Sequence, residues 1–457
     1  MNNSIFAGRS IELAALLLII LLAGLPFIFN GYGLDADAWR IVQSGYALSA
    51  GEGYQPSRFP GYPLPEFISG AVWLLKLPYT IPWIFNFLTL LLSVTAVYYF
   101  LLISAEFINK NKLFVYLSTL AFAFTPVFYI NSTGIMEYNW ALAFALGSSY
   151  YLISKRLRLS ALFLALAAGC RITSALFIIP SVYFLISSED TTPRRKIYEY
   201  ILIFSAACLV LFSPLWLKYG FSFLTFDRPP GEYSILKIAG RFTLRTWGFL
   251  GSLGIAFAII KFLTTEKQEI RNFFTGNKFV VYSFLSIIIY LLLFFQLPLD
   301  AGYLMPLVPF VILLLYRMLS KKILIILSVL LIASPFILNI EEHDYSAAGP
   351  VFINSEKRIS EEQYLDSVIS KTESFDQPTI IICEAFLHKL QVTMVLKKIS
   401  LPGNVDLVYT LPEDSLKTLL NRGSPRIFYL RNIRDVTRKL YGYDLKKYGA
   451  EELIERK

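Results

Sequence analysis

Repeated apolar runs near 20 residues constrain this chain more than any other feature. Segments such as 11–29 and 279–296 carry at most one charge. Each is long enough, as a helix, to cross a hydrocarbon core of ~30 Å. Composition agrees, with 55% hydrophobic and only 16% charged residues and a mean hydropathy of +0.55. The chain reads as a polytopic α-helical membrane protein. Spans are expected at 11–29, 82–104, 113–130, 138–154, 158–170, 173–187, 199–217, 246–262, 279–296, 303–318 and 323–340, about eleven in all. Gly169-Cys170-Arg171 interrupts one apolar run. It is read as the turn of a tight helical pair, because one long kinked helix would invert every later loop.

The net charge of +9 does not point to nucleic acid, because of where it lies. Residues 1–340 hold 25 Lys and Arg against 15 Asp and Glu, whereas 341–457 is nearly balanced. The excess falls in short loops between apolar runs, including Arg9, Lys110, Arg194, Arg195, Lys196, Lys267 and Arg271. The positive-inside rule then puts the N-terminus in the cytoplasm and residues 30–65 outside. Eleven spans put the C-terminal region outside as well. The first apolar run lacks an A-x-A-like cleavage site and reads as a retained anchor.

Two loops on the outer side are long, 30–65 and 218–245, while the inner ones are short. That asymmetry puts the working surface outside. Leu64–Leu77 is largely apolar but too short to span, and Pro63, Pro65, Pro78 and Pro82 punctuate it, as in helices lying along the interface. Residues 1–340 are expected to form one transmembrane domain that carries both long outer loops. From 341 to 457 the apolar runs shorten. Strand-like Thr379–Cys383, Val405–Thr410 and Arg426–Leu430 alternate with helical patterns at 384–396, 413–422 and 432–448, which predicts a small α/β domain in three layers. It has no GxGxxG and no P-loop. Cys170, Cys208 and Cys383 show no paired spacing, and His343 and His388 both lie near the C-terminal side, so the predicted spans hold no His cluster for haem or metal.

The most pointed local feature is Asp35 and Asp37, in Gly33-Leu34-Asp35-Ala36-Asp37-Ala38-Trp39-Arg40, where the chain leaves the first apolar run. Carboxylates at a membrane face are costly and usually functional. Three further motifs follow in order: Ser57-Arg58-Phe59-Pro60-Gly61-Tyr62-Pro63-Leu64, Gly169-Cys170-Arg171-Ile172-Thr173, and Tyr303-Leu304-Met305-Pro306-Leu307-Val308-Pro309-Phe310. In that order, over nearly its whole length, the chain resembles the polyprenyl-phosphate-dependent glycosyltransferases of the GT-C superfamily. These include the protein O-mannosyltransferase-like enzymes, the aminoarabinose transferases of lipid A and the catalytic subunit of oligosaccharyltransferase.

The resemblance implies an inverting transfer of a sugar from a polyprenyl-phosphate donor to a lipid, glycan or protein acceptor at the outer face. A first-loop carboxylate would take the acceptor's proton. Asp37 is the first choice, because acidic-x-Asp before x-Trp looks like the oligosaccharyltransferase pattern. Asp35 is the second, and equally suits a helix cap. Glu137, in Met136-Glu137-Tyr138-Asn139, is expected either to add an acid to the site or to sit as a helix-start charge favoured by the dipole.

Departing phosphate calls for fixed cations, and arginine's planar fork suits it. Candidates are Arg58, Lys218, Arg241 and Arg245, each also suited to a lipid headgroup. Arg171 is as ready to pin the bundle as to touch substrate. Tyr303 is either a site residue or an interfacial anchor. Related chains often carry Arg just before Tyr-Leu-x-Pro, where Gly302 stands here. No cofactor is assigned from the sequence, and Mg²⁺ or Mn²⁺ on Asp35, Asp37 and Glu137 is left open. Asn131-Ser132-Thr133 matches a glycosylation sequon but reads as a turn. The alternatives are a lipid-linked glycan flippase or another polytopic transporter, and a non-catalytic scaffold. Transport predicts charges within helices, helices broken at the midplane and inverted repeats. Only Arg171 fits the first, and no repeat is evident.

Overall fold

The computed structural model describes residues 10–77, 81–108, 112–187, 193–224, 234–264, 277–341, 344–423 and 425–454. Among the residues named above, Arg9, Pro78, Lys110, Lys267, Arg271, His343 and residues 225–233 of the second long loop lie outside these.

Each of the eleven apolar segments contains helix, but many are broken. Among the described residues, four helices are long and apolar enough to cross a membrane: Ile81–Phe107, Ile235–Lys261, Lys278–Gln296 and Ala301–Met318. A fifth forms if Pro193–Leu211 and Ser213–Tyr219, bent by 62°, act as one span. Ile11–Phe27, Lys112–Ala123, Leu157–Cys170 and Ile172–Ile186 are apolar but shorter. Prolines account for several breaks. The run 113–130 splits ahead of Pro126, and 199–217 splits ahead of Pro214. Proline lacks the amide hydrogen that would close the next helical bond.

The interruption at Arg171 is a reversal. Glu137–Ile153 and Leu157–Cys170 run antiparallel, with Ser148 Oγ donating to the Ser160 carbonyl at 2.8 Å. Beyond Arg171 the chain turns back. Thr173 accepts from Tyr290 at 3.1 Å, near the end of Lys278–Gln296. Phe184 packs on Phe279 and Tyr282 at its start, and Tyr282 bonds Ser149 at 2.8 Å. Two short helices therefore replace one kinked one.

The first long loop folds into two helices, Ala36–Ser49 and Pro63–Trp73, that pack closely on each other. A Cβ at Gly45 would lie 2.1 Å from Ser69 Oγ, so only glycine permits this crossing.

The last apolar run departs from expectation. Helix ends at Ala333, Pro335 follows, and β1 (Ile337–Glu341) pairs antiparallel with β2 (Asp344–Ala348). The domain boundary drawn between 340 and 341 thus falls inside a hairpin. Next comes a 23-residue helix, Pro350–Thr372, that the sequence pattern did not reveal. The α/β unit is close to expectation. β3 (Thr379–Ile382), β4 (Val405–Val408), β5 (Arg426–Tyr429) and β6 (Glu451–Glu452) form a parallel sheet in the order β4-β3-β5-β6. β3 is buried along its whole length, as a central parallel strand should be.

Candidate active site

Asp35 caps the helix Ala36–Ser49: its extended backbone lets the carboxylate accept from Asp37 N at 2.9 Å. Trp39, one turn on, donates from its indole to the Gly33 carbonyl at 2.9 Å and fixes the approach of the chain. Asp37 therefore occupies the first helical turn. It faces Arg58, with which it is ion-paired, and Arg40, whose Nη1 lies at 3.3 Å.

Arg58 is held by a residue that sequence reasoning did not single out. Glu66, fully buried on Pro63–Trp73, accepts from Ser57 N at 2.7 Å, from Ser57 Oγ at 2.5 Å, from Tyr62 N at 3.3 Å and from the Tyr54 hydroxyl. One carboxylate thus folds the 54–62 loop around itself. Burial pushes its pKa up, and these donors pull it back. The loop presents Arg58, whose Nη2 donates to Glu137 at 2.8 Å and whose Nε donates to the Tyr62 hydroxyl at 2.9 Å. Burial works against the guanidinium's charge, but Glu137, Tyr62 and Asp37 outweigh it and hold the pKa well above its ordinary value.

Glu137 opens its helix as expected but is sealed inside the protein, 1% exposed. Its Oε1 accepts from both Arg58 and Arg171, the latter at 2.6 Å. It is a hub for cations and not a freely available acid. Arg171 lies between two rings, 4.4 Å from the centroid of Tyr138 and 4.6 Å from that of Tyr303. Gly302 makes this possible: a Cβ there would meet the Tyr138 ring at 2.6 Å.

Two cavities adjoin this cluster. One, of about 610 Å³, is lined by Arg58, Tyr62, Arg171 and Tyr303 at its polar end and by Leu293, Leu297 and Pro306 along its apolar walls. The other, of about 420 Å³, is lined by Asp35, Tyr138, Arg245, Asp300, Asn339 and, from the C-terminal domain, Ile353, Asn354 and Lys357. Tyr138, packed on Tyr303 and Arg171, stands between them. Burial first, then the charges of Asp37 and Asp300, push the Asp35 carboxyl from an ordinary 3.8 up to about 6; the Asp37 amide and Arg58 act the other way.

The sequence candidates thus divide. Asp35, Asp37, Arg58, Glu137 and Tyr303 meet at one end of the bundle, joined by Arg171. Arg245 reaches the second cavity. Arg241 does not join it: its guanidinium donates to the Pro298 carbonyl, and a short π-helical turn, Arg241–Arg245, separates the two arginines. Lys218 is exposed and donates to the Tyr54 carbonyl at 2.9 Å. Asp35, Asp37 and Glu137 do not form one ligand set, since two of them already face guanidinium groups. Among the described residues no three Asp, Glu, His or Cys side chains group to hold a metal ion. Asp300 was not singled out from the sequence; its carboxylate caps the turn Ala301–Leu307 by accepting from Gly302 N.

No family model matches the chain, and no curated protein matches it. Among solved structures it is similar to ArnT from Cupriavidus metallidurans in the apo state, with a TM-score of 0.58 over 94% of each chain at 10% identity. At that identity the likeness is one of fold. The shared fold covers nearly the whole chain, so it takes in the C-terminal domain as well as the bundle.

Proposed function

We propose that this protein is a membrane glycosyltransferase that moves a sugar from a polyprenyl-phosphate donor to an acceptor hydroxyl or amine. The observation that carries this reading is the meeting of two cavities of opposite character at one cationic cluster. The apolar cavity suits an isoprenoid chain, and its polar end offers two guanidinium groups, Arg58 and Arg171, for a phosphate. The polar cavity suits an acceptor, and it holds Asp35.

The chemistry follows from those positions. Asp35, as carboxylate, takes the proton of the acceptor group as that group attacks the anomeric carbon. The bond from that carbon to the phosphate oxygen breaks, and the phosphate leaves with the electron pair. Arg58 and Arg171 stabilise its growing charge, already fixed in place by Glu137 and two tyrosine rings. A single displacement inverts the anomeric centre.

Geometry favours Asp35 over Asp37 as the base, reversing the order that the sequence motif gave. Asp37 is engaged by Arg58 and Arg40, whereas Asp35 lines the acceptor cavity with a pKa near the working range. Asp37 then serves to orient Arg58. A divalent cation, if used, would meet substrate oxygens at Asp35 and Asp300, the two acids of the polar cavity. The likeness in fold to ArnT supports a membrane glycosyltransferase with a lipid-linked donor, and an outer site rests on the loop charges alone. The test is transfer from radiolabelled polyprenyl-phosphate sugars by the purified protein in source membranes. Label moving to an acceptor supports the reading, and label crossing the bilayer without transfer favours a flippase.

A further inference from the structure

The C-terminal domain grips the reactive end of the bundle by its backbone. Arg358, on Pro350–Thr372, is 5% exposed. Its guanidinium donates to the carbonyls of Asn30 at 2.9 Å, Gly31 at 2.5 Å and Thr133 at 3.0 Å. Lys389, on Phe386–Lys397, is equally buried; its Nζ donates to the Leu34 carbonyl at 2.6 Å and to Glu361 at 2.5 Å. Ser355 accepts from Asn30 Nδ2 at 2.6 Å. Gly31 holds φ at +74°, a left-handed conformation that glycine adopts freely and that turns its carbonyl toward Arg358.

The places these cations touch matter more than their number. Leu34 immediately precedes Asp35, and Asn30 and Gly31 begin the same loop. Thr133 lies one turn before Glu137, and Ile135 N donates to the Tyr32 carbonyl at 3.0 Å, so the two loops already share a bond. A guanidinium buried against neutral carbonyls is a costly way to achieve packing alone. Burial works against that charge and lowers the Arg358 pKa to about 10, with Glu362 on the same helix offsetting part of the effect. Ile353, Asn354 and Lys357 on that helix also form one wall of the cavity that holds Asp35.

Resting on the reading of Asp35 as base, we propose that Arg358 and Lys389 are positioning residues. Through them the C-terminal domain fixes the Asp35 loop and the Thr133–Glu137 turn, and thereby completes the acceptor cavity. The domain's work is then on the geometry of the reaction and not only on choosing an acceptor.

The experiment uses the full chain with Arg358→Ala, Lys389→Ala, Lys389→Arg and, as control, Asp35→Asn. Turnover is read with radiolabelled polyprenyl-phosphate hexose and pentose in source membranes, and hydrogen exchange is read by mass spectrometry in detergent. Misplacing a reacting group by 1 Å costs on the order of 100-fold. Both alanine variants should lower kcat by about 10–100-fold with donor KM unchanged, and Lys389→Arg should recover most of the loss. Exchange over residues 30–38 should accelerate in both alanine variants while β3–β5 stay as protected as in the parent. Wild-type kcat in both alanine variants, with Asp35→Asn inactive, overturns the positioning role and leaves the base standing. Full activity of Asp35→Asn overturns the base, and exchange alone then decides the positioning role: unchanged exchange over 30–38 rejects it. If Arg358→Ala fails to fold, Lys389→Ala, which loses a single loop contact, carries the decision.

Discussion

Arg171 donates to Glu137 at 2.6 Å, joining residues 34 positions apart in sequence across one end of the bundle. Neither would be tolerable alone. Arg171 interrupts an apolar run, and Glu137 is sealed from solvent. Together with Arg58, which also pairs with Asp37, they place two guanidinium groups on one carboxylate at the polar end of the apolar cavity.

Removing the shared carboxylate leaves two arginines without their partner. Breaking a buried pair from one side typically costs about 3–5 kcal/mol. Glu137→Ala should therefore lower the thermal unfolding temperature in detergent markedly, and Glu137→Ala with Arg171→Leu should recover part of the loss. A double variant as unstable as the sum of the two singles would show the pair to be uncoupled.

Donor affinity should separate the cations that converge from those that do not. A hydrogen bond to a charged group contributes about 1.5–3 kcal/mol. Arg58→Ala and Arg171→Ala should each raise donor KM by about 10–100-fold, by the same figure. Arg241→Ala and Lys218→Ala should leave it unchanged, since those side chains bond the Pro298 and Tyr54 carbonyls. Titration of the donor in initial-rate assays distinguishes the two groups.

As the proposed base, Asp35 would give the reaction an acid limit. Only its carboxylate can accept a proton, and burial, Asp37 and Asp300 raise its pKa to about 6 against the nearby Arg58. Turnover should therefore fall as pH drops through about 6, well above the ordinary 3.8 of an aspartate, and should level off at higher pH. Asp300→Asn removes one neighbouring negative charge and should shift that limit to lower pH. A profile flat from pH 5 to 7 would exclude Asp35 from the proton transfer.

The architecture was largely legible because hydrophobic burial writes itself as long apolar runs and as β-rich segments alternating with helical ones. Asp35 as helix cap and Asp37 beside it were legible for the same local reason. What escaped depends on contacts distant in sequence. The partner of Arg171 could not be read from its own surroundings, and nothing local marks Glu66 as the acceptor of four donors, one of them twelve residues away. The helix Pro350–Thr372 was missed because its polar residues hide any apolar stripe, although Val351, Leu365, Val368 and Ile369 are buried. The strand Ile337–Glu341 was absorbed into the preceding apolar run, with Pro335 the only local sign of the break.

Gly302 is a packing requirement of the site. A side chain there would press on Tyr138 at 2.6 Å and disturb the slot that holds Arg171. Overpacking of this kind costs about 1–3 kcal/mol. Gly302→Ala should lower stability in that range and raise donor KM, both measurable on the purified protein. Wild-type values for both would mean that Tyr138 yields freely and does not hold Arg171.

The central claim is that Asp35 accepts the proton while Asp37 orients Arg58. Asparagine at either position keeps the size of the side chain and removes its basicity. General-base catalysis contributes about 10²–10⁴-fold. Single-turnover transfer from a polyprenyl-phosphate sugar, with the protein saturated in donor, should fall by about that factor in Asp35→Asn. Asp37→Asn should show a weakened donor KM and a much smaller loss at saturation. A larger loss at saturation in Asp37→Asn would exchange the two roles, and full activity in Asp35→Asn would contradict the account.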